Sequence, residues 1–158
     1  MKSLIKAFMA IALLFGFSQA TLADGHGKQK VVYHINYDNP KQQGGALRDI
    51  QNHINAVGAD KLDLRVVLHG NGLALLVLPE AHSRVPKFKH ANANDQMTAK
   101  IDGLRNQGVS FKVCANTVKG RKVNIETDLH DVSDADIVPS GVAELAILQG
   151  QGFAYIKP

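Results

Sequence analysis

Several residue types are scarce in this sequence of 158 residues, and each shortage narrows the range of functions. A single cysteine excludes both an internal disulfide and a cysteine-based zinc centre within one chain. Tryptophan is absent and no segment is of low complexity, but 45% of the residues are apolar and 20% are charged, so the chain is neither disordered nor collagen-like. Charge of one sign is not in large excess either, since 18 Lys and Arg face 14 Asp and Glu. Without Lys2 and Lys6, which lie in a segment that we expect to be removed, the net charge of +4 falls to +2, and this is too small to indicate nucleic acid binding.

Long apolar runs are missing except for one near the N-terminus, from residue 7 to residue 17. Lys2 and Lys6 precede this run, and the small residues of a cleavage site follow it. The run is shorter than the roughly 20 residues that cross a bilayer, so we interpret residues 1–23 as a secretory signal peptide rather than an uncleaved anchor. Cleavage is expected after Ala23, with Ala20 as the second choice. The mature chain, 24–158, would carry a net charge of +2 and, in a bacterium, reach the periplasm without a further membrane span.

Apolar runs and helical periodicity alternate along the mature chain. Asn39-Pro40 is typical of a helix start, and Leu47, Ile50 and Ile54 then recur at helical spacing until Gly58. The predicted helices lie at 40–57, at 95–107 after an Asn94 cap, from an Asn116 cap to 121, and from 139–141 to Gly150. The predicted strands are 30–36, 63–68, 109–114, 135–138 and 153–156. Residues 73–78 suit either a helix or a strand, and the basic segment 80–92 is predicted to be an exposed loop.

This alternation predicts a single-domain α/β fold over residues 24–158. Strand 63–68 is apolar almost throughout, which is typical of strands buried on both faces of a parallel sheet. We therefore expect a doubly wound, flavodoxin-like sheet of about five parallel strands with helices on both faces.

Polar side chains follow four of the predicted strands, and the carboxyl ends of parallel strands are where such sheets bind ligands. The first strand delivers His34 and Asn36 at its end, and His69 and Asn71 follow the second. The third strand delivers Cys114 and Asn116, and the fourth delivers Ser140. We expect these side chains to converge on one edge of the sheet.

Cys114 is the candidate with the clearest chemistry. It closes an apolar strand just before a predicted helix start, where a thiol has a lowered pKa, and Lys119, Arg121 and Lys122 follow within two turns. A thiolate is the nucleophilic form of cysteine. The alternative is a small buried residue with no reactivity, since free cysteine is often buried.

Other motifs give weaker indications. His34 and His69 could approach each other, but the seven histidines show no strong metal-ligand spacing. The stretch from Arg84 to His90 could attract anions or an acidic partner, or could simply be a solvated loop. Residues 70–72 lack the glycine patterns of nucleotide-binding loops, and no G-x-S-x-G elbow is present.

Six segments of the mature chain form a pattern that is typical of one family. They are residues 30–34, 46–57, 67–70, 113–117, 138–145 and 149–158, of which the C-terminal block is the most specific. In this pattern and order the chain resembles the exported branch of the DsrE/DsrF-like family over nearly all of its mature length. The resemblance implies a compact α/β fold that assembles into homotrimers or homohexamers. Cytoplasmic members include sulfur-relay subunits that carry a persulfide on a cysteine after a central strand, and Cys114 corresponds to that position. Those relays work as hetero-oligomers, whereas this chain carries an export signal.

Together these features lead us to expect a periplasmic sulfur-handling protein, a persulfide carrier or sulfurtransferase-like subunit without a cofactor. Cys114 would accept the sulfur from a small sulfur-containing anion. The residues expected to bind that ligand are His34, Asn36, His69, Asn71, Asn116, Lys119, Arg121 and Ser140. The alternative is a non-catalytic, homo-oligomeric module that binds a small ligand, and a histidine-based metal carrier is a third possibility.

Overall fold

The structure, a computed structural model, describes residues 27–158, so the predicted signal peptide at 1–23 lies outside the described residues. The strands are β1 (Gln29–Ile35), β2 (Leu62–Leu68), β3 (Ser110–Cys114), β4 (Ile137–Val138) and β5 (Ala154–Ile156). The helices are α1 (Pro40–Val57), α2 (Asp95–Asn106), α3 (Ala115–Arg121), α4 (Ile125–Asp128) and α5 (Gly141–Gly150). Short 3₁₀ turns occupy Ala59–Lys61, Gly70–Leu75, Pro79–Ala81 and Asp134–Asp136. Between residues 27 and 158, no helix has the length and apolar character needed to cross a bilayer.

The five strands form one parallel sheet in the order β4-β3-β2-β1-β5, which confirms the predicted fold class. The chain moves from β1 to β4 in one direction and then crosses back to place β5 on the far side of β1. The helices after β1, β2 and β3 pack on one face of the sheet, and α5, which follows β4, packs on the other. The chain therefore leaves the neighbouring strands β3 and β4 toward opposite faces. Such a switch point is where open α/β sheets bind their ligands.

We call the side under α1–α4 the closed face. Apolar side chains of the sheet such as Tyr33, Val66 and Phe111 contact the inward stripes of α1 and α2 there, in one large continuous cluster. α1 begins where predicted, because the Asn39 side chain accepts the Gln42 N–H and Pro40 occupies the first turn. The segment that links β2 to α2 adds Leu73, Ala74, Leu75, Leu76, Val77, Ala81, Val85 and Phe88 to the same cluster.

We call the side under α5 the open face. Its apolar cluster has five residues: Val32, Val67, Leu145, Leu148 and Phe153. The same face carries Arg65, whose guanidinium lies 4.9 Å from the centre of the Phe153 ring, and an ion pair between Arg65 and Asp63. A ten-residue helix is too short to cover the whole sheet, so this face keeps a polar margin.

Two sequence expectations prove wrong. Segment 80–92 is not wholly exposed, because Ala81, Val85 and Phe88 are buried at helix-like spacing while residues between them, such as Arg84 and Lys87, face solvent. Helix α3 begins directly after Cys114 rather than after an Asn116 cap, so the strand passes into the helix without a connecting loop. Residues 73–78, which suited either a helix or a strand, form the end of a 3₁₀ helix and a turn.

Candidate functional site

The candidate site lies at the switch point between β3 and β4, where α3 and α5 begin. Gly141, the first residue of α5, fits tightly between two neighbours. A Cβ atom at this position would lie 2.8 Å from the His69 Cβ and 3.3 Å from the Cys114 Cβ. Only glycine therefore lets α5 start against both side chains, which holds His69, Cys114 and the N-terminus of α5 in one place.

Cys114 is 5% exposed, and polar groups surround its sulfur. Burial raises the pKa of the thiol, but the backbone N–H groups of Gly141, Thr117 and Asn116 and the Thr117 hydroxyl together lower the pKa below its ordinary value. No regular side-chain cap bond closes the start of α3, so these N–H groups act on the sulfur as oriented dipoles. The Thr117 oxygen accepts the Gly70 N–H at 2.8 Å, which leaves its proton free to be donated to the sulfur. The site therefore stabilises the thiolate more than the surroundings of an ordinary cysteine do.

A row of three hydrogen-bonded side chains lies beside the cysteine on the open face. The Nε2 atoms of His34 and His69 are 2.7 Å apart, and the His34 Nδ1 lies 2.6 Å from the Tyr155 hydroxyl. One proton lies between the two Nε2 atoms, so one imidazole donates and the other accepts. Leu68 pairs with Val113 in the sheet, which puts the next residues, His69 and Cys114, side by side.

Both histidines of this row are held neutral at neutral pH. Burial, the neighbouring His69 and the Lys157 ammonium lower the pKa of His34 to about 4. Burial and Lys157 also lower the pKa of His69. The two imidazoles can therefore donate and accept hydrogen bonds next to the thiol, but they add no positive charge to attract an anion.

The other residues predicted for the site separate into two groups. Ser140 caps α5 through the Ala143 N–H, and Asn116 reaches the sulfur through its backbone rather than its exposed side chain. Asn71 accepts a hydrogen bond from Arg121, and Lys119 is exposed in the last turn of α3.

Asn36 is the last of the predicted residues, and it lies under the turn that follows β2. A Cβ on Gly72 would come within 2.9 Å of the Asn36 Cα and 1.9 Å of the Ile35 carbonyl oxygen. The backbone of Asn36 is therefore packed against this turn, and β2 lies between the end of its strand and that of Cys114.

Three residues of the site were not predicted from the sequence: Thr117, Gly141 and Tyr155. Thr117 and Gly141 stand in two segments of the family pattern, 113–117 and 138–145. Their roles in the site depend on how α3 and α5 meet. Tyr155 stands in the last strand, and only the pairing of β5 with β1 brings its hydroxyl to His34.

A metal ion has little support at this row. Among residues 27–158, no three or more His, Cys, Asp or Glu side chains are grouped as ligands. The Nε2 atoms of His34 and His69 are 2.7 Å apart, whereas two nitrogen ligands of a tetrahedral zinc ion, each about 2.0 Å from the metal, lie about 3.3 Å apart, so the pair does not have the geometry of a zinc site.

Comparison with known proteins agrees with this architecture. Residues 29–158 match the DsrE/DsrF-like family, and the chain therefore belongs to that family, which is generally related to sulfur relay. No curated protein matches the sequence. Among solved structures, the chain is similar to MTH1491, a protein of unknown function from Methanobacterium thermoautotrophicum, with 24% identity and a TM-score of 0.64 over 83% of this chain and 100% of that one. It is also similar to the ychN protein from E. coli, with 17% identity and a TM-score of 0.59 over 82% of this chain and 99% of that one. At these identities the two structures show the fold alone.

Proposed function

We propose that this protein is an exported sulfur-handling protein in which Cys114 carries sulfane sulfur as a persulfide. The observation that carries the proposal is the set of donors around the Cys114 sulfur, because they stabilise the anionic form of the thiol. The same donors suit a persulfide, which is also an anion. Membership of the DsrE/DsrF-like family supports the sulfur chemistry, and residues 1–23 support export.

The chemistry needs no oxidant or cofactor. The Cys114 thiolate attacks the outer sulfur of a persulfide or of thiosulfate, and a new S–S bond forms at Cys114 as the S–S bond of the donor breaks. The donor leaves as a thiolate or as sulfite with the electron pair. The N–H groups of Asn116, Thr117 and Gly141 face the sulfur throughout, so the negative charge stays solvated by the protein.

The burial of Cys114 sets a condition on this chemistry. With 5% exposure, the sulfur cannot meet a donor unless the starts of α3 and α5 move apart slightly. We therefore expect Cys114 in the folded protein to react more slowly than an exposed thiolate, because access to the sulfur is limited. We also expect its reaction to begin at a lower pH than in the unfolded chain, because its pKa is lowered.

Persulfide loading followed by intact mass tests the proposal. The mature protein is incubated with polysulfide or thiosulfate at a series of pH values, both folded and in urea. We expect a gain of one sulfur atom on the folded protein, with a rate midpoint at lower pH than in urea. Cys114→Ser controls for adducts elsewhere and should gain nothing. Loading that occurs only in urea, or with the same midpoint in both states, contradicts the proposal.

The same burial favours a second candidate, a non-catalytic module that binds a small ligand while Cys114 is structural. Alkylation separates the two candidates. Labelling of native Cys114 by a small reagent within minutes supports sulfur carriage, whereas labelling only after denaturation supports the binding module.

We also propose that the protein forms a homo-oligomer through α5. Val142 and Ile147 are 64% and 53% exposed on this helix, and Tyr155 in β5 is 41% exposed. A helix that is apolar on its outer side as well is usually covered. Sedimentation of Ile147→Lys tests this, with Gln149→Lys on the same exposed helix as the control. We expect only Ile147→Lys to shift a trimer or hexamer toward monomer, and a wild-type monomer would contradict the proposal.

A further inference from the structure

A group of basic side chains lies beside the candidate site and has no role in the chemistry above. The segments 81–94 and 115–125 contain no Asp or Glu. Together they carry six Lys and Arg residues. Arg84 is paired with Asp128, and we call the other five the basic ridge: Lys87, Lys89, Lys119, Arg121 and Lys122. All of these are exposed except Arg121, which is partly buried.

Tertiary contacts hold the two segments of the ridge together. The Lys87 Nζ donates to the Gly120 carbonyl at 2.6 Å, and the Arg121 Nη1 donates to the Lys87 carbonyl at 2.8 Å. The Arg121 guanidinium also lies 4.2 Å from the centre of the buried Phe88 ring. Because these partners are carbonyl groups and a ring, the contacts fix the positions of the charges without neutralising them.

The charge of the ridge is not compensated nearby. Among the described residues, none of the five forms an ion pair with a carboxylate within 4.0 Å, whereas the neighbouring Arg84 is paired with Asp128 at 2.7 Å. Asp38 is the one carboxylate that acts on Arg121, at longer range. Five positive charges also exceed the net charge of the whole chain, so the rest of the molecule is slightly negative.

The ridge and the cysteine share helix α3. Cys114 precedes the first residue of the helix and Arg121 is the last, so seven residues, about 10 Å of helix, separate them. Arg121 also donates to Asn71, which stands in the turn whose Gly70 N–H binds Thr117. A partner seated on the ridge would therefore have its edge within reach of the sulfur.

We propose that the basic ridge is the docking surface for an acidic protein partner that exchanges sulfur with Cys114, an inference that rests on the proposed function. A thiolate of the partner attacks the outer sulfur of the Cys114 persulfide, the S–S bond at Cys114 breaks, and the partner leaves with the sulfur. Surface charge of this kind increases the rate of encounter by roughly 10-fold or more at low salt. An acidic protein fits better than nucleic acid, because proteins that bind single strands stack bases on exposed aromatic rings. Phe88, which lies between Lys87 and Lys89, is buried and offers no such stacking surface.

Two synthetic peptides test the proposal, one with a cysteine flanked by glutamates and one with glutamines in their place. The persulfidated protein is mixed with each peptide, and sulfur transfer is followed by intact mass. We expect the acidic peptide to react about tenfold faster at low salt and to lose most of that advantage at high salt.

Matched variants locate the effect. The triple variant Lys87→Gln, Lys89→Gln, Lys122→Gln should abolish the advantage of the acidic peptide and leave unchanged the final extent of Cys114 loading by excess polysulfide. The control triple Lys41→Gln, Lys61→Gln, Lys100→Gln removes three equally exposed charges elsewhere and should keep the advantage. Equal rates with both peptides, or equal losses in both triples, overturn the proposal.

Failure of the proposed function and failure of the docking surface can be told apart. If Cys114 never takes up sulfur, the proposed function fails, and anisotropy of the labelled acidic peptide then tests the surface alone. In that measurement the wild type should bind the acidic peptide more tightly than the ridge triple does. Tighter binding of a single-stranded oligonucleotide than of the acidic peptide would assign the ridge to nucleic acid and overturn the proposal.

Discussion

The two faces of the sheet are built from the same strands but differ in how completely they are covered. On the closed face, α1, α2 and the β2–α2 connection bury one continuous apolar cluster. On the open face, the apolar cluster has only five residues, two of which belong to α5 itself, and His34, Arg65 and Cys114 lie around it. Stability therefore resides mainly in the closed face, and the polar groups that can do chemistry lie at the edge of the open one.

The largest expected contrast is between leucines of the two faces. Leu68 is fully buried in the closed-face cluster, whereas Leu145 packs under α5 with 8% exposure. We expect Leu68→Ala to lower the free energy of unfolding by about 4 to 5 kcal/mol and Leu145→Ala by about 2 to 3 kcal/mol. Urea unfolding of both variants measures the difference. Equal losses would contradict the difference in stability between the two faces.

The open face should also respond to acid through His34. Its pKa is lowered from 6.5 to about 4 by burial and by His69 and Lys157, so the unfolded chain takes up a proton between these pH values that the folded chain refuses. Stability should therefore fall as the pH drops from 6.5 to about 4, by at most about 1.4 kcal/mol per pH unit for one proton. Thermal unfolding of the wild type and His34→Gln checks this, and the variant should show a flatter profile. Parallel profiles for the two proteins would show that His34 is not the group responsible.

Gly141 tests how closely α5 fits against the site. In Gly141→Ala the new Cβ collides with the Cβ atoms of His69 and Cys114, which are attached to the backbone and cannot swing away. We expect a loss of about 1 to 3 kcal/mol and a rise in the pKa of Cys114, because the Gly141 N–H is displaced. Gly150→Ala is the control, since nothing lies within 4 Å of its Cβ at the other end of α5. A fully stable Gly141→Ala protein would show that α5 can shift freely.

The smallest expected effect concerns Thr117. Thr117→Val keeps the shape but leaves the Gly70 N–H without its acceptor and removes a donor from the Cys114 sulfur. We expect a loss of about 1 kcal/mol and a rise in the pKa of the thiol, measured by thiolate absorbance against pH. Thr98→Val, which removes a hydroxyl from an exposed turn of α2, should leave that pKa where it is. An unchanged pKa in Thr117→Val would leave the backbone N–H groups as the source of the lowered value.

Most of the fold could be predicted because it depends on local signals. Asn39, Pro40 and Gly58 mark the ends of α1, Asn94 caps α2, and the apolar runs mark the strands. The errors fall where tertiary contacts override such signals. Segment 80–92 contains many charges, yet its apolar residues at positions 81, 85 and 88 are buried against the sheet.

The candidate site divides in the same way. The rule that ligands lie beyond the strand ends identified His34, His69 and Cys114, which stand at adjacent strand ends. The expected source of activation was right for the helix start, because N–H groups in the first turns of α3 and α5 lower the pKa of Cys114, but Lys119 and Arg121 lie at the other end of α3 and are not among the groups that lower it.

Sequence alone determined the alternation of strands and helices, the single thiol and the positions of the polar strand ends, because these follow from residue type and spacing along the chain. The tertiary structure decided which side chains meet. Tyr155 lies 121 residues from His34 along the chain, and Gly141 lies 27 residues beyond Cys114, yet both contacts form within the site. Such contacts depend on strand order and on how closely two helix ends approach, and no local pattern encodes either.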